Sequence, residues 1–127
     1  MAGAPQQAKP SQPQMGIVPP PAPVRPVHVF TSKLGTIELV ELTADEELDA
    51  AKRSRSDNVR LAFEMAKTSL VGLNGAKLSL ADGSADKAWN EMGSRLRNLV
   101  MRAYSDIHTP PEEDANDFLQ SRKVKVG

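Results

Sequence analysis

The chain has no cysteine. That excludes disulfides, thiolate nucleophiles and thiolate metal ligands, and it fits a reducing compartment. No charge of either sign is in excess: 16 Lys and Arg balance 16 Asp and Glu. A protein that grips a phosphate backbone usually carries a basic surplus, so a nucleic-acid partner is not expected. No apolar run approaches the roughly 18 residues that a membrane-spanning helix needs. The N-terminus lacks the basic start and apolar stretch of a signal peptide. The expectation is a soluble chain made in the cytoplasm, with no membrane insertion.

Catalytic signatures are also missing. There is no Gly-x-Ser-x-Gly turn. Only two histidines are present, His28 and His108. Neither has the surroundings of a base or a ligand. Pro110 and Pro111 prevent one helical face from presenting both His108 and Glu112. The carboxylate clusters Glu46–Glu47 and Glu112–Glu113–Asp114 fall in expected first turns of helices, where acids favour the helix dipole. Gly72–Leu73–Asn74–Gly75–Ala76–Lys77 has glycines and a lysine but not the spacing of a phosphate loop. No catalytic residue, cofactor or metal ligand is therefore assigned, and the chain is not expected to be an enzyme.

Proline is abundant but uneven. Eight of the ten prolines lie in residues 1–26, a segment with no aromatic residue and two charges, Lys9 and Arg25. Such a segment cannot bury enough apolar surface to offset its ordering entropy. It reads as an extended proline-rich arm with polyproline II preference. Met15, Ile17 and Val18 form its apolar cluster. Pro20–Pro21–Ala22–Pro23–Val24–Arg25 fits a PxxPxR ligand of the kind SH3 domains read, but a stiff spacer or arm is the preferred reading. The foldable body is 27–127. It carries all 16 acidic residues and all but two of the 16 basic ones, a net charge of −2. A body of this size buries roughly 60–70% of its unfolded surface, enough for one modest core.

Within the body, Val27–Thr31 and Thr36–Glu41 read as a β-hairpin around Ser32–Lys33–Leu34–Gly35. Thr43–Ala44–Asp45–Glu46 is a capping box, and its helix runs to about Arg53. The polar stretch 54–58 either breaks that helix or is an exposed part of a longer one. From Val59, the spacing of Ala62, Phe63, Ala66, Leu70 and Leu73 predicts a second helix that Asn74–Gly75 ends. Ala76–Ala81 alternates and suggests a short strand or extended loop. Ser84 caps a long third helix with one stripe: Trp89, Met92, Leu96, Leu99, Val100, Ala103, Tyr104 and Ile107. Gly93 weakens it slightly. Thr109–Pro110–Pro111–Glu112 predicts a fourth helix with Thr109 as cap and Pro110 first, its Ala115, Phe118 and Leu119 facing the core. Lys123–Val124–Lys125–Val126 alternates like an edge strand guarded by lysines, or like a tail that adds to another sheet. The expected fold is α+β: a mostly helical domain of three to four helices with an N-terminal hairpin.

Arg95, Arg97 and Arg102 lie on the third helix, with Lys87 a little earlier. They suit phosphate, an acidic partner surface, or simply the solvated side of an amphipathic helix. Trp89 and Tyr104 read as core residues or as interface anchors.

From about Leu34 to Gly127 the order of parts resembles a loose group of small tailed-bacteriophage proteins. These are the tail-assembly chaperones and minor tail or baseplate components. The resembling pieces are Leu34–Gly35 with Glu38–Leu39, Leu42–Thr43–Ala44 with Glu46–Glu47–Leu48, and Leu99–Val100 with Tyr104. They close with His108–Thr109–Pro110–Pro111–Glu112–Glu113 and Phe118–Leu119. The arm lies outside the resemblance. What the resemblance implies is a non-enzymatic structural part of a phage tail or baseplate, or a tail-assembly chaperone absent from the mature virion. Partners would be other tail or baseplate proteins in several symmetric copies. Localisation would be the host cytoplasm during assembly, then the virion. An adaptor with an SH3-type ligand arm is the further alternative. Expected partner contacts are Met15, Ile17, Val18, Pro20, Pro23 and Arg25 on the arm, Arg95 and Arg102 on the third helix, and Val124 and Val126 on the tail.

Overall fold

The computed structural model describes residues 25–126. Two runs of β-branched residues form the expected hairpin, β1 (Val27–Ser32) and β2 (Gly35–Val40), turning at Lys33–Leu34. Its register pairs His28 with Leu39 and Phe30 with Ile37. A hairpin alone is marginal in water. Here it continues into a four-stranded antiparallel sheet in the order β1-β2-β3-β4, where β3 is Leu70–Leu73 and β4 is Ala76–Lys77. A bulge between Glu38 and Leu39 adjusts the β2–β3 register.

Helix α1 (Ala44–Ser54) starts where the capping box places it. Thr43 accepts from the Glu46 amide at 3.3 Å, and the Glu46 carboxylate accepts from the Thr43 amide at 2.9 Å. The polar stretch breaks the helix. Arg55 and Ser56 adopt positive φ, 52° and 67°, and reverse the chain. Asp57 then caps α2 (Asn58–Ser69) by accepting from the Arg60 amide at 3.0 Å.

The second helix stops earlier than its apolar spacing predicts. Leu70 and Leu73 sit on β3, and Asn74–Gly75 is a hairpin turn rather than a helix end. Both turn residues have positive φ, 51° and 86°, which matches the twist of two-residue hairpins. Spacings of three and four fit a strand of four residues as well as a helix. The decision comes from β2, whose inner edge needs a partner: Ile37 pairs with Leu73 and Leu39 with Leu70. Asn74 completes the junction, its Oδ1 accepting from the Thr36 amide at 2.9 Å. Ala76–Lys77 confirms a short strand at the start of the alternating stretch.

The long third helix is two helices, α3 (Ser84–Glu91) and α4 (Ser94–His108). Met92 and Gly93 are extended between them. A straight helix of that span would be about 37 Å long at 1.5 Å per residue. The break lets α3 pack on β3 and α2 while α4 crosses β2 and α2. Ser84 is not the cap of α3; Gly83 is, and the Ser84 hydroxyl instead accepts from the Ser79 amide at 2.8 Å.

Helix α5 (Glu112–Gln120) begins two residues after the expected start. A proline disfavours helical angles in the residue before it, so Pro111 keeps Pro110 from opening the helix. Thr109 becomes the C-cap of α4 instead. Phe118 and Leu119 do not face the core; they are 75% and 68% exposed. Nor do residues 123–126 join the sheet, which has only β1 to β4 among the described residues.

The fold is therefore α+β, with five helices and one sheet among the described residues. Ile37, Leu39, Ala66, Leu70, Trp89, Met92, Val100 and Ala103 form the core between sheet and helices. Each large side chain buried there stabilises by about 1.5–3 kcal/mol. Among the described residues, no helix is long and apolar enough to cross a membrane.

Candidate functional site

Among the described residues no three His, Asp or Glu side chains gather as a metal site would require. The chemistry visible on the surface is that of apolar patches flanked by charge. Three regions carry it.

The first is the root of the arm. Met15, Ile17, Val18, Pro20 and Pro23 lie outside the described residues. Arg25 lies within them, and its guanidinium grips the start of α1. It donates to both Glu46 carboxylate oxygens, at 2.6 and 3.1 Å, and to the Glu41 carbonyl at 2.8 Å. Partial burial disfavours the Glu46 charge, but the bonds from Arg25 and Thr43 outweigh it and hold the carboxyl below its ordinary value. The arginine of the PxxPxR stretch is thus engaged within its own chain. The pair is surface-exposed, so it contributes only about 0–1 kcal/mol.

The second region is a cleft between the hairpin and α4, about 270 Å³ in volume. Phe30 and Ile37 form its sheet wall, and Leu96, Leu99 and Ala103 form its helix wall. Arg102 stands among them, exposed. Leu99 and Arg102 are three apart on α4, so one helical face presents both. Arg95 lies seven residues before Arg102 and is also exposed. Neither arginine has an ion-pair partner among the described residues. Arg97 does not join them. It is half-buried and donates to the Met92 carbonyl, one of the groups that the end of α3 leaves unpaired. Trp89, one of the two suggested anchors, is a core residue in a tilted contact with Phe63, ring centroids 5.7 Å apart. Lys87 is exposed on α3.

The third region is α5 with the tail behind it. The helix has no buried residue. Ala115, Phe118 and Leu119 fall on one face by their spacing, and the acids Glu112, Glu113, Asp114 and Asp117 dominate the rest. Val124 and Val126 follow, 76% and 94% exposed. An amphipathic helix without a cover is the feature a docking surface needs.

Two arrangements escaped the sequence reading. His108 ends α4 and ties that helix to the link between β2 and α1. Its Nδ1–H donates to the Tyr104 carbonyl at 2.7 Å, while Nε2 accepts from the Leu42 amide at 2.9 Å. Its ring stacks on Tyr104 with centroids 4.1 Å apart. The second is a charge network across three helices. Glu64 accepts from Arg53 of α1 at 2.8 Å and from Lys67 at 3.0 Å, and Lys67 reaches Asp86 of α3 at 2.6 Å. Lys67 follows Glu64 by three residues, a spacing visible in the sequence; the partners on α1 and α3 are set only by tertiary packing.

Comparison of the chain with protein-family models, with curated proteins and with solved structures finds no match to any of them.

Proposed function

We propose that the chain is a non-enzymatic component of a phage tail or baseplate, held in place by protein–protein contacts. The observation that carries the protein-binding part is α5 and its tail: Phe118, Leu119, Val124 and Val126 lie largely in solvent. Large apolar side chains grouped in one segment at the surface are the usual mark of an interaction site. The phage setting rests on the resemblance of residues 34–127. Other tail or baseplate proteins are the proposed partners, in several symmetric copies, with the virion as final location.

Mass spectrometry with copy-number estimation on purified virions tests the setting. A fixed, symmetric stoichiometry is the expected result. Expression during assembly with absence from virions would replace it with a tail-assembly chaperone, which would use the same exposed helix transiently on an unassembled tail protein. No phage context at all would remove both and leave a protein-binding module. The SH3-adaptor alternative has less support, because Arg25 is occupied by Glu46 and Glu41.

A further inference from the structure

The cleft on α4 and the bare face of α5 are both apolar, and their flanking charges are opposite in sign. The cleft offers apolar walls with Arg102, and Arg95 further along the same helix. Helix α5 offers Phe118 and Leu119 surrounded by four carboxylates and contains no basic residue. A cavity of about 150 Å³ takes a benzene ring. The cleft, at about 270 Å³, has room for the Phe118 ring and part of a neighbour. No residue of α5 lines the cleft of its own chain.

We infer that this chain associates with a second copy of itself head to tail. The α5 of one copy docks in the α4–hairpin cleft of the next, with Phe118 as anchor and Asp114 and Asp117 beside Arg102. The contact is heterologous: each copy keeps one unused cleft or one unused helix, so association continues into rings or open chains rather than stopping at two. A nine-residue helix covers less area than a standard interface, so the single-contact Kd is on the order of micromolar. Closing a ring or adding further tail partners would raise the effective affinity. The inference rests on the protein-binding reading above but not on its phage setting.

The test is analytical ultracentrifugation of the full chain from about 5 to 500 µM, a range that brackets the expected Kd. The expected result is a mean mass that grows with concentration and falls back at high salt. Phe118→Asp and Arg102→Glu each remove one half of the contact at exposed positions, and circular dichroism verifies that both fold. Each alone is expected to weaken association at least about tenfold. Mixed in equal amounts, they are expected to form a one-to-one dimer and stop there. The intact α5 of the Arg102→Glu copy still has the intact cleft of the Phe118→Asp copy to enter. A wild-type chain that stays monomeric throughout would overturn the inference. So would association that survives Phe118→Asp, which would place the contact elsewhere. A monomeric wild-type chain found in virions would overturn the self-association alone and leave the proposed function standing.

Discussion

At the scale of single residues, backbone conformation and hydrogen-bond supply give sharp expectations. Arg55 follows α1 with φ 52°, a left-handed angle that a side chain disfavours. Arg55→Gly relieves that strain and adds entropy to the unfolded chain, which opposes part of the gain. A net stabilisation of about 0.5 kcal/mol is expected, read by urea denaturation. Gly72 behaves in the opposite sense. A Cβ there would lie 2.9 Å from the Glu38 side chain, including 3.0 Å from its Cβ, which cannot swing away. Gly72→Ala is expected to destabilise by about 1–3 kcal/mol. His108 supplies the acceptor for the Leu42 amide. His108→Phe keeps the ring against Tyr104 but leaves that amide unpaired, at a cost of about 1–3 kcal/mol. None of this was legible at His108 in the sequence. Its sequence neighbours are Ile107 and Thr109, with two prolines beyond, whereas its partner Leu42 is 66 positions away.

At the scale of elements, the network joining α1, α2 and α3 sets a pH window. Partial burial disfavours charge on Glu64, but bonds from Arg53 and Lys67 win and hold its carboxyl below the ordinary 4.5. Burial likewise opposes charge on Lys67, and its bonds to Asp86 and Glu64 raise it above the ordinary 10.5. The Glu64 contribution is present above 4.5 and is lost as pH falls through its lowered folded value. The Lys67 contribution is present below 10.5 and is lost as pH rises through its raised folded value. Between those limits both are intact. Glu64→Gln is expected to cost about 1–2 kcal/mol at neutral pH, discounting for the exposed Arg53 partner. It is also expected to flatten the acid limb of a Tm-against-pH curve; an unchanged limb would assign acid unfolding to other carboxylates. Helix α5 gives the complementary expectation. With no buried residue it adds little to the core, so a chain ending at Thr109 should keep its Tm within about 4 °C.

Local signals decided some elements and not others. The capping box at Thr43 and Glu46 and the turn at Lys33–Leu34 stand where the sequence places them, because sterics and hydrogen bonds within four residues suffice. The third helix shows the limit. Its stripe from Trp89 to Ile107 is unbroken in sequence, and Gly93 has no crowding that demands glycine. The break lets α3 and α4 pack on different strands, a tertiary arrangement that no window of neighbouring residues encodes.

At the scale of the whole molecule, the sequence by itself determined the class: an α+β domain with no cysteine chemistry and balanced charge. It also determined which segments are amphipathic, because the apolar period is a local property of the chain. Tertiary structure decided what each apolar face meets. Leu70 and Leu73 left the expected helix because β2 needed a strand beside it, and hydrogen bonds between distant segments outweigh a helix period of two side chains. Phe118 and Leu119 carry the same spacing as core residues, yet the Pro110–Pro111 link and a core already filled by Trp89, Met92, Val100 and Ala103 leave them outside. Amphipathicity is written in the order of residues. Whether such a face is buried by its own fold or offered to another copy depends on how much apolar surface the rest of the chain has already covered.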